Sequence, residues 1–576
     1  MQIKKSNFNF GNEEEKKLEN KQNVEMDLEQ TKENTNEFTN NGLDDEIFKQ
    51  KSKFYIIEKH KKKIIIGLVI LLLSVFSIIF LYIYFNNRES EYVDIDKDNL
   101  CEIGENEKCA NCDQNLNKCI KCNPGYLLSN NKCFLNYSFK LLYKTSKDNE
   151  TIELSNFLMN NIKKIAIDGI IVNSYMNYTF SFKGNHQIFI LIDLSNCKSL
   201  SYMLYKMKNI ISIYFSSLFK TENITDLNHI FSECISLTSV DISNFDTKRV
   251  IDMKNMFSNC TNLTFINISN LNTENVFYMN SMFYNCHKLK SINISNFITN
   301  NVIDLKSFFH NCYSLECISI SNFNTENVMN MSYMFCNYNS LTSINISNFN
   351  TQNVITMRNM FSNCFELASI DISKFNTQNV IDMSYMFSVC EKLTQIDISS
   401  FQTQNVKYMD KMFIFCARLN TIIIGNINTN NLISMNNMFN SCSKLINIDI
   451  SKIKTNKVED MSYMFAYCSK LTSINVSNFN TKNVKDINSM FKGCSSLTSI
   501  DLSNFDTNNV TNMYNIFDSC SSLSYIDISS FSSSINSTIN ISDFLSDFGV
   551  IKINRNFIKC IKNTIPSNWK IIINSN

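Results

Sequence analysis

Cysteine returns every 26 residues across the second half of this chain, and that period limits the fold more than any other property of the sequence. It stands at Cys234, Cys260, Cys286, Cys312, Cys364, Cys390, Cys416, Cys442, Cys468, Cys494 and Cys520, with Tyr338 in the one register that lacks it. Counted from each cysteine, leucine follows at +3 (Leu237, Leu263, Leu289, onward to Leu523) and branched residues at +6 and +8, as in Ile266 and Ile268. Phenylalanine is usual at +11, threonine stands at +13 from Thr247 to Thr507, and valine, methionine, methionine and phenylalanine close the unit at +16, +19, +22 and +23. One unit reads C-x-x-L-x-x-I-D-I-S-x-F-x-T-x-N-V-x-x-M-x-x-M-F-x-x-C. Self-similarity at a fixed period of this size specifies a solenoid, in which no unit buries its apolar side alone and each is completed by its neighbours.

The unit can be read as local structure. L-x-x-I-x-I ends in strand alternation, with the two branched residues facing in and the polar residue between them facing out. The closing M-x-x-M-F puts apolar groups at i, i+3 and i+4, one face of a helical turn. It is preceded by cap formers such as Asp252, Asp304, Thr356, Asp382, Asp460 and Asp486. The expectation is an α/β-type repeat solenoid, with one strand and one short helical turn per 26-residue coil and about twelve coils over 208–533. Residues 134–207 and 534–576, the latter with Phe544, Phe548 and Trp569, are expected to cap its two ends. Methionine and phenylalanine then form core stripes, and threonine forms a buried hydroxyl ladder. The cysteine column packs as free thiols, because parallel side chains at the ~4.8 Å strand spacing or wider sit beyond the usual disulfide reach.

This pattern resembles the BspA-like leucine-rich repeats of microbial and protist surface proteins, in the 26-residue variety MFxxCxxLxxIDISxFxTxNVxxM. The segment NYTFSFKGNHQIFILIDLSNCKSL resembles the stretch that precedes such arrays. The resemblance implies cell-surface attachment and interaction with a host or matrix, and no catalytic site.

The N-terminal part has a different organisation. Residues 1–63 hold 13 lysines and 13 acidic residues and only isolated apolar ones, so they read as a disordered tail. Residues 64–85 carry no charge over 22 positions, long enough to span the roughly 30 Å hydrocarbon core of a bilayer. Lys59, Lys61, Lys62 and Lys63 flank this run on one side, and Arg88, Glu89 and Glu91 on the other. The positive-inside rule then places the tail in the cytoplasm and everything after the span outside the plasma membrane. An acidic stalk over 86–100 leads to six cysteines within 33 residues: Cys101, Cys109, Cys112, Cys119, Cys122 and Cys133. On an oxidising face such density points to three disulfides, with connectivity open and zinc as the competing use of the two C-x-x-C pairs. CANCDQNLNKCIKCNPGYLLSNNKC resembles furin-like and growth-factor-receptor-like cysteine repeats.

Composition removes most enzymes. Gly is 10 and Pro 2, and no GxxxxGK[ST], GxGxxG or GxSxG occurs. The five histidines (His60, His186, His229, His287, His310) are scattered without HExxH. Lys+Arg 54 against Asp+Glu 53 leaves +1, without the basic excess of a nucleic-acid binder. No catalytic residue, cofactor or resident metal is expected. The partners expected are the membrane, crossed once, and extracellular protein or glycan ligands, with no nucleic acid. The candidate binding face is the outward +7 column: Asp241, Asn267, Asn293, Ser319, Asn345, Asp371, Asp397, Asp449, Asn475, Asp501 and Asp527. As a solvated column it is expected to be dispensable to stability. Sequons at Asn136, Asn149, Asn177 and Asn223 are candidate glycan sites. The function expected is adhesion or recognition by a surface-anchored solenoid. Its rivals are a glycosylated coat or variable antigen without one ligand, and a receptor signalling through its tail.

Overall fold

The computed structural model describes residues 137–574 except 154–155, 173–176, 217, 317, 426, 533–547 and 562–564, with the backbone of four strands between 109 and 135. The expected tail, span and stalk over 1–100 lie outside the described residues, as do Cys101, Asn136, Cys317 and Phe544 and the side chain of Cys560. Among the described residues no helix is long and apolar enough to cross a membrane.

Two antiparallel hairpins come first. β1 (Cys109–Asp113) pairs with β2 (Lys118–Cys122), setting Cys109 opposite Cys122 and Cys112 opposite Cys119, and β3 (Tyr126–Ser129) pairs with β4 (Lys132–Leu135). Next, β5 (Phe139–Thr145), β7 (Ile162–Ile167), β8 (Ile170–Val172) and β10 (Gly184–Ile192) form an antiparallel sheet. β6 (Glu150–Glu153) and β9 (Asn177–Phe180) make a separate pair, and α1 (Asn156–Asn161) precedes β7. Strict alternation shapes β5 and β10: Phe139, Leu141, Ile188 and Ile190 are fully buried while their neighbours are wet. β5 then pairs antiparallel with β11 (Ile210–Phe215), the first strand of the array, so the open edge of the solenoid is closed by hydrogen bonding.

From β11 onward the chain is a β-solenoid of about twelve leucine-rich-repeat-like coils. Strands align at the repeat offset: β12 (Ser239–Asp241) on β13 (Phe265–Asn267), β14 (Gln395–Asp397) on β15 (Thr421–Ile423), and β16 (Ser499–Asp501) on β17 (Tyr525–Ile528). The parallel sheet is extended at its end by β18 (Gly549–Asn554) and β19 (Trp569–Asn574), with α2 (Ile558–Ile561) between them. Trp569 is buried there against Gly549, where an added Cβ would lie 2.5 Å from its ring, whereas Phe548 is 73% exposed.

The helical turn expected at M-x-x-M-F is not formed; both α-helices of the described residues lie outside the coils. A second parallel ladder runs there instead, with bridges linking Ser199, Asp226, Asp252, Tyr278 and each +18 residue on to Asn512. The following segment takes left-handed backbone at two positions per coil, as at Asn255 (φ 54°) and Asn259 (φ 62°). That zigzag turns alternate N–H groups toward the next coil: Met253, Asn255, Phe257 and Asn259 donate to the carbonyls of Tyr278, Asn280, Met282 and Tyr284 at 2.7–3.0 Å. Apolar spacing at i, i+3 and i+4 cannot distinguish this from a helical turn, because both carry the same side chains inward. Asp252 caps no helix: its Oδ1 accepts from the Lys254 N–H at 2.9 Å, an Asx turn.

The core repeats in columns. Phe231, Phe257, Phe283, Phe309, Phe335 and their successors to Phe517 stack with centroids 5.1–6.3 Å apart. Such pairs contribute about 0.5–1.5 kcal/mol each beyond their burial. Each buried threonine joins two coils, as Thr247 Oγ1 donates to Asn272 O at 2.8 Å and accepts from the Asn272 N–H at 2.8 Å. The asparagine of T-x-N fastens the preceding coil, as Asn275 Nδ2 donates to Lys248 O at 2.8 Å.

Left-handed backbone costs an L-residue with a Cβ about 1–2 kcal/mol, least for asparagine. Asn259, Asn285, Asn311, Asn337 and Asn363 hold the register before the cysteine in five successive coils, and the next coil has Val389 there at φ 57°. Branching at Cβ makes valine a poor choice for that conformation. Val389→Asn is therefore expected to raise stability by about 1 kcal/mol, measured by chemical denaturation; a loss of stability would contradict this reading of the turn.

Candidate functional site

The outward +7 column lies along the parallel sheet, and ten of its eleven members are tied to their own turns. Asp241, Asn267, Asn293, Asn345, Asp371, Asp397, Asp449, Asn475, Asp501 and Asp527 each accept the N–H of the serine two residues on, at 2.8–3.3 Å. Hydrogen bonds from Ser373 and Ser503 hold the Asp371 and Asp501 carboxyls below the usual carboxylate range, and Ser451 does the same for Asp449. The column is therefore not neutral to stability. Loss of one such acceptor costs about 0.5–1.5 kcal/mol, and only the second oxygen or the amide nitrogen faces outward for a ligand.

Exposure is uneven along the column. Asn293, Ser319, Asn345, Asp371, Asp397, Asp449, Asn475 and Asp501 are exposed. Asp241 and Asn267 are half-buried and joined, with Asn267 Nδ2 donating to Asp241 Oδ2 at 3.0 Å. Asp527 is only 6% exposed and pairs with Lys552 of β18 at 3.4 Å, so the terminal sheet removes it from the candidate face. Ile423 interrupts the row, 49% exposed. The remaining face is amide- and hydroxyl-bearing from Asn293 to Asn345 and mostly acidic from Asp371 to Asp501. Of the sequons, Asn149, Asn177 and Asn223 are exposed, and Asn223 Oδ1 accepts from Arg249 Nη1 at 3.4 Å.

The thiols of the array are chemically muted. The ladder cysteines from Cys234 to Cys520 are unpaired and buried. In ten successive members the Sγ donates to the carbonyl of a phenylalanine one coil back, as Cys416 does to Phe387 O at 3.0 Å and Cys442 to Phe413 O at 3.3 Å. Burial pushes the Cys416 and Cys468 thiols up to about 12, too high to supply thiolate near neutrality. Tyr338, fully buried, fills the register without cysteine. No group of His, Cys, Asp and Glu suited to a metal occurs among the described residues.

One constellation escaped sequence reasoning. His186 Nδ1 lies 2.7 Å from Asp168 Oδ2, and its Nε2 lies 3.2 Å from Thr145 Oγ1. Hydroxyl, imidazole and carboxylate thus stand in line, but Thr145 and His186 are 2% and 1% exposed and the hydroxyl accepts the Gly184 N–H at 2.9 Å. No substrate reaches that oxygen, so the group clamps β5, β7 and β10 together.

A family model described as Mycoplasma protein of unknown function, DUF285, matches residues 174–290, 198–318, 251–368, 288–393, 337–448 and 433–552. None of the curated proteins matches the chain. Among solved structures, a TLR13–ssRNA13 complex is similar at 16% identity and TM-score 0.20, covering 61% of this chain and 49% of that one, about half its length. The functional domain of InlJ from Listeria monocytogenes, which includes a cysteine ladder, is similar at 12% identity and TM-score 0.17, covering 65% of this chain and 77% of that one.

Acid should weaken the array through its histidines. His310 sits between Tyr284 and Tyr333, with ring centroids 5.2 and 5.3 Å away, and burial pushes its pKa down to about 4. The unfolded chain protonates first, near pH 6.5, so this contribution is fully present above that value and is lost as pH falls toward 4. Denaturation midpoints should fall over this window, and less steeply in His310→Gln; equal slopes for the two proteins would refute the assignment.

Proposed function

The chain belongs to the family described as Mycoplasma protein of unknown function, DUF285, and we propose that it is a surface-anchored recognition protein. Its β-solenoid is presented outside the plasma membrane to protein or glycan ligands. The observation that carries this reading is the division within each coil. Core columns barely vary, while the sheet face changes from coil to coil at +5 and +7, as in Ser291, Ser343, Gln395, Thr421 and Tyr525. Buried thiols, a closed Thr145–His186–Asp168 group and an open polar face support binding over catalysis.

In this proposal 64–85 is the single membrane anchor, 1–63 the cytoplasmic tail, and 86–100 the stalk. Cys101, Cys109, Cys112, Cys119, Cys122 and Cys133 form a disulfide-bonded spacer, a reading supported by the opposition of Cys109 with Cys122 and Cys112 with Cys119. Asn136, Asn149, Asn177 and Asn223 carry glycans.

Two measurements test it. Protease applied to intact cells should remove a C-terminal tag and spare an N-terminal one. Binding of the purified protein to a panel of host-cell, matrix and glycan ligands should fall at least about tenfold in a combined D371N/D397N/D449N/D501N variant, as expected when recognition runs through charged groups. Asparagine keeps the Asx-turn oxygen, so melting should be preserved, and the proteins compared are made without N-glycosylation because each change also creates an N-x-S sequon. Removal of the N-terminal tag instead, or ligand binding indifferent to the acidic face, would refute the proposal.

A further inference from the structure

A second surface column lies two residues after each ladder cysteine. Six of the twelve coils place a small polar residue there, such as Ser236, Asn262, Ser314, Ser340 or Ser496, and Lys288 is an isolated cation, but four successive coils carry Lys392, Arg418, Lys444 and Lys470. The preceding position is pinned from coil to coil. Ser443 Oγ donates to Ala417 O at 3.1 Å, Ser469 Oγ to Ser443 O at 3.3 Å, and Ser495 Oγ to Ser469 O at 3.3 Å. The basic residues therefore form one row, at about the 4.8 Å pitch of stacked strands. Lys392 is answered by Glu366 at 2.5 Å. Arg418, Lys444 and Lys470 are exposed, and none forms an ion pair among the described residues. Cations at this spacing repel one another, and no core contact requires them. The adjoining +4 positions, Asn420, Ile446 and Thr472, carry no acid to neutralise the row.

An exposed tyrosine stands three residues before Lys470 in the chain. Tyr467, 45% exposed, precedes Cys468 by one residue and extends over Gly493, where an added Cβ would lie 2.7 Å from its ring. Glycine at this register (φ 70°) leaves the ring room to lie across the next coil, and Lys492 Nζ stands 5.9 Å from its centroid. A ligand suited to this surface is linear, bears anions at a repeat close to the coil pitch, and offers a ring whose apolar face stacks on tyrosine. Single-stranded nucleic acid fits less well, since it would call for several stacking aromatics along the row.

We infer that Arg418, Lys444, Lys470 and Tyr467 form a binding site for a linear acidic polysaccharide laid along the array axis. Successive carboxylates or sulfates face the three cations, and one sugar ring rests on Tyr467. The inference rests on the reading of this protein as a surface recognition module, and it names one ligand class and one place for it.

The test uses the full-length protein and heparin oligosaccharides of defined length, titrated at two salt concentrations. R418A/K444A/K470A should bind at least about tenfold more weakly and with a shallower salt dependence, because fewer counterions are exchanged. K220A/K374A/K482A removes the same charge from exposed lysines elsewhere and should stay within about twofold of the parent. Tyr467→Ala should weaken binding with the salt slope unchanged, and all variants should melt as the parent does. Parent-like binding by the row variant, an equal loss in the control variant, or tighter binding of single-stranded RNA than of heparin at matched salt would each overturn the site. The assay is independent of membrane orientation. Failure here with the protease result intact removes only this site, whereas the opposite tag pattern removes the surface reading itself.

Discussion

The backbone hydrogen bonds between coils are the interaction on which everything else depends. At each +17 position an N–H reaches back one coil, as Ile381 does to Ile355 O at 2.8 Å, and alternate N–H groups of the following segment reach forward. This ladder joins residue to residue at one fixed offset, so the period must stay at 26: one inserted residue would turn the inward columns out. The stacked phenylalanines, the buried thiols and the threonine bridges can repeat only because the ladder places each coil in the same rotation as the last. Neighbour-to-neighbour coupling of this kind makes the array quasi-one-dimensional, and both ends need a different structure to close the open edge.

Departures from the repeat show how the backbone is maintained. The coil after Cys416 has Ile423 where its neighbours have an Asx residue, and so lacks the side-chain oxygen that fixes the turn. Gly425 stands two residues later at φ 65°, with Ser399 so close that an added Cβ would meet it at 2.6 Å. Backbone freedom there replaces a side-chain hydrogen bond. The thiol register tolerates Tyr338 in the same spirit, since what the column requires is a buried group of fitting shape.

Much of this was legible in the residues. The period, the inward Ile, Met, Phe and Cys columns and the outward +7 column follow from spacing alone. The handedness of the closing segment did not, because M-x-x-M-F serves equally a helical turn and a turn with left-handed residues. Glycine, the usual marker of positive φ, occupies that register only at Gly493, and mostly asparagine, serine, tyrosine and lysine, with His229, Glu233, Val389 and Phe415, fill the rest. The Asx turns were written in D-x-S and N-x-S, yet reading Asp371 only as a solvated face hid its role in its own loop. Thr145, Asp168 and His186 could not be joined from sequence, since strand pairing in the N-terminal sheet alone brings them together. The basic row was visible as a column, but its alignment rests on the serine hydroxyls that lock successive coils.

Native-state hydrogen exchange tests the central claim most directly. If the second ladder holds the solenoid together, the amides of Ile355, Ile381, Lys407 and Ile433, with those of Met383, Tyr385 and Phe387, should exchange slowest and as one cooperative group. The sheet-face amides of the same coils, such as Gln395 and Thr421, should exchange no more slowly. Fast exchange at the +17 and +19 to +23 amides, with stronger protection at the predicted strands, would show that the sheet bears the array and that this account has its supporting interaction in the wrong place.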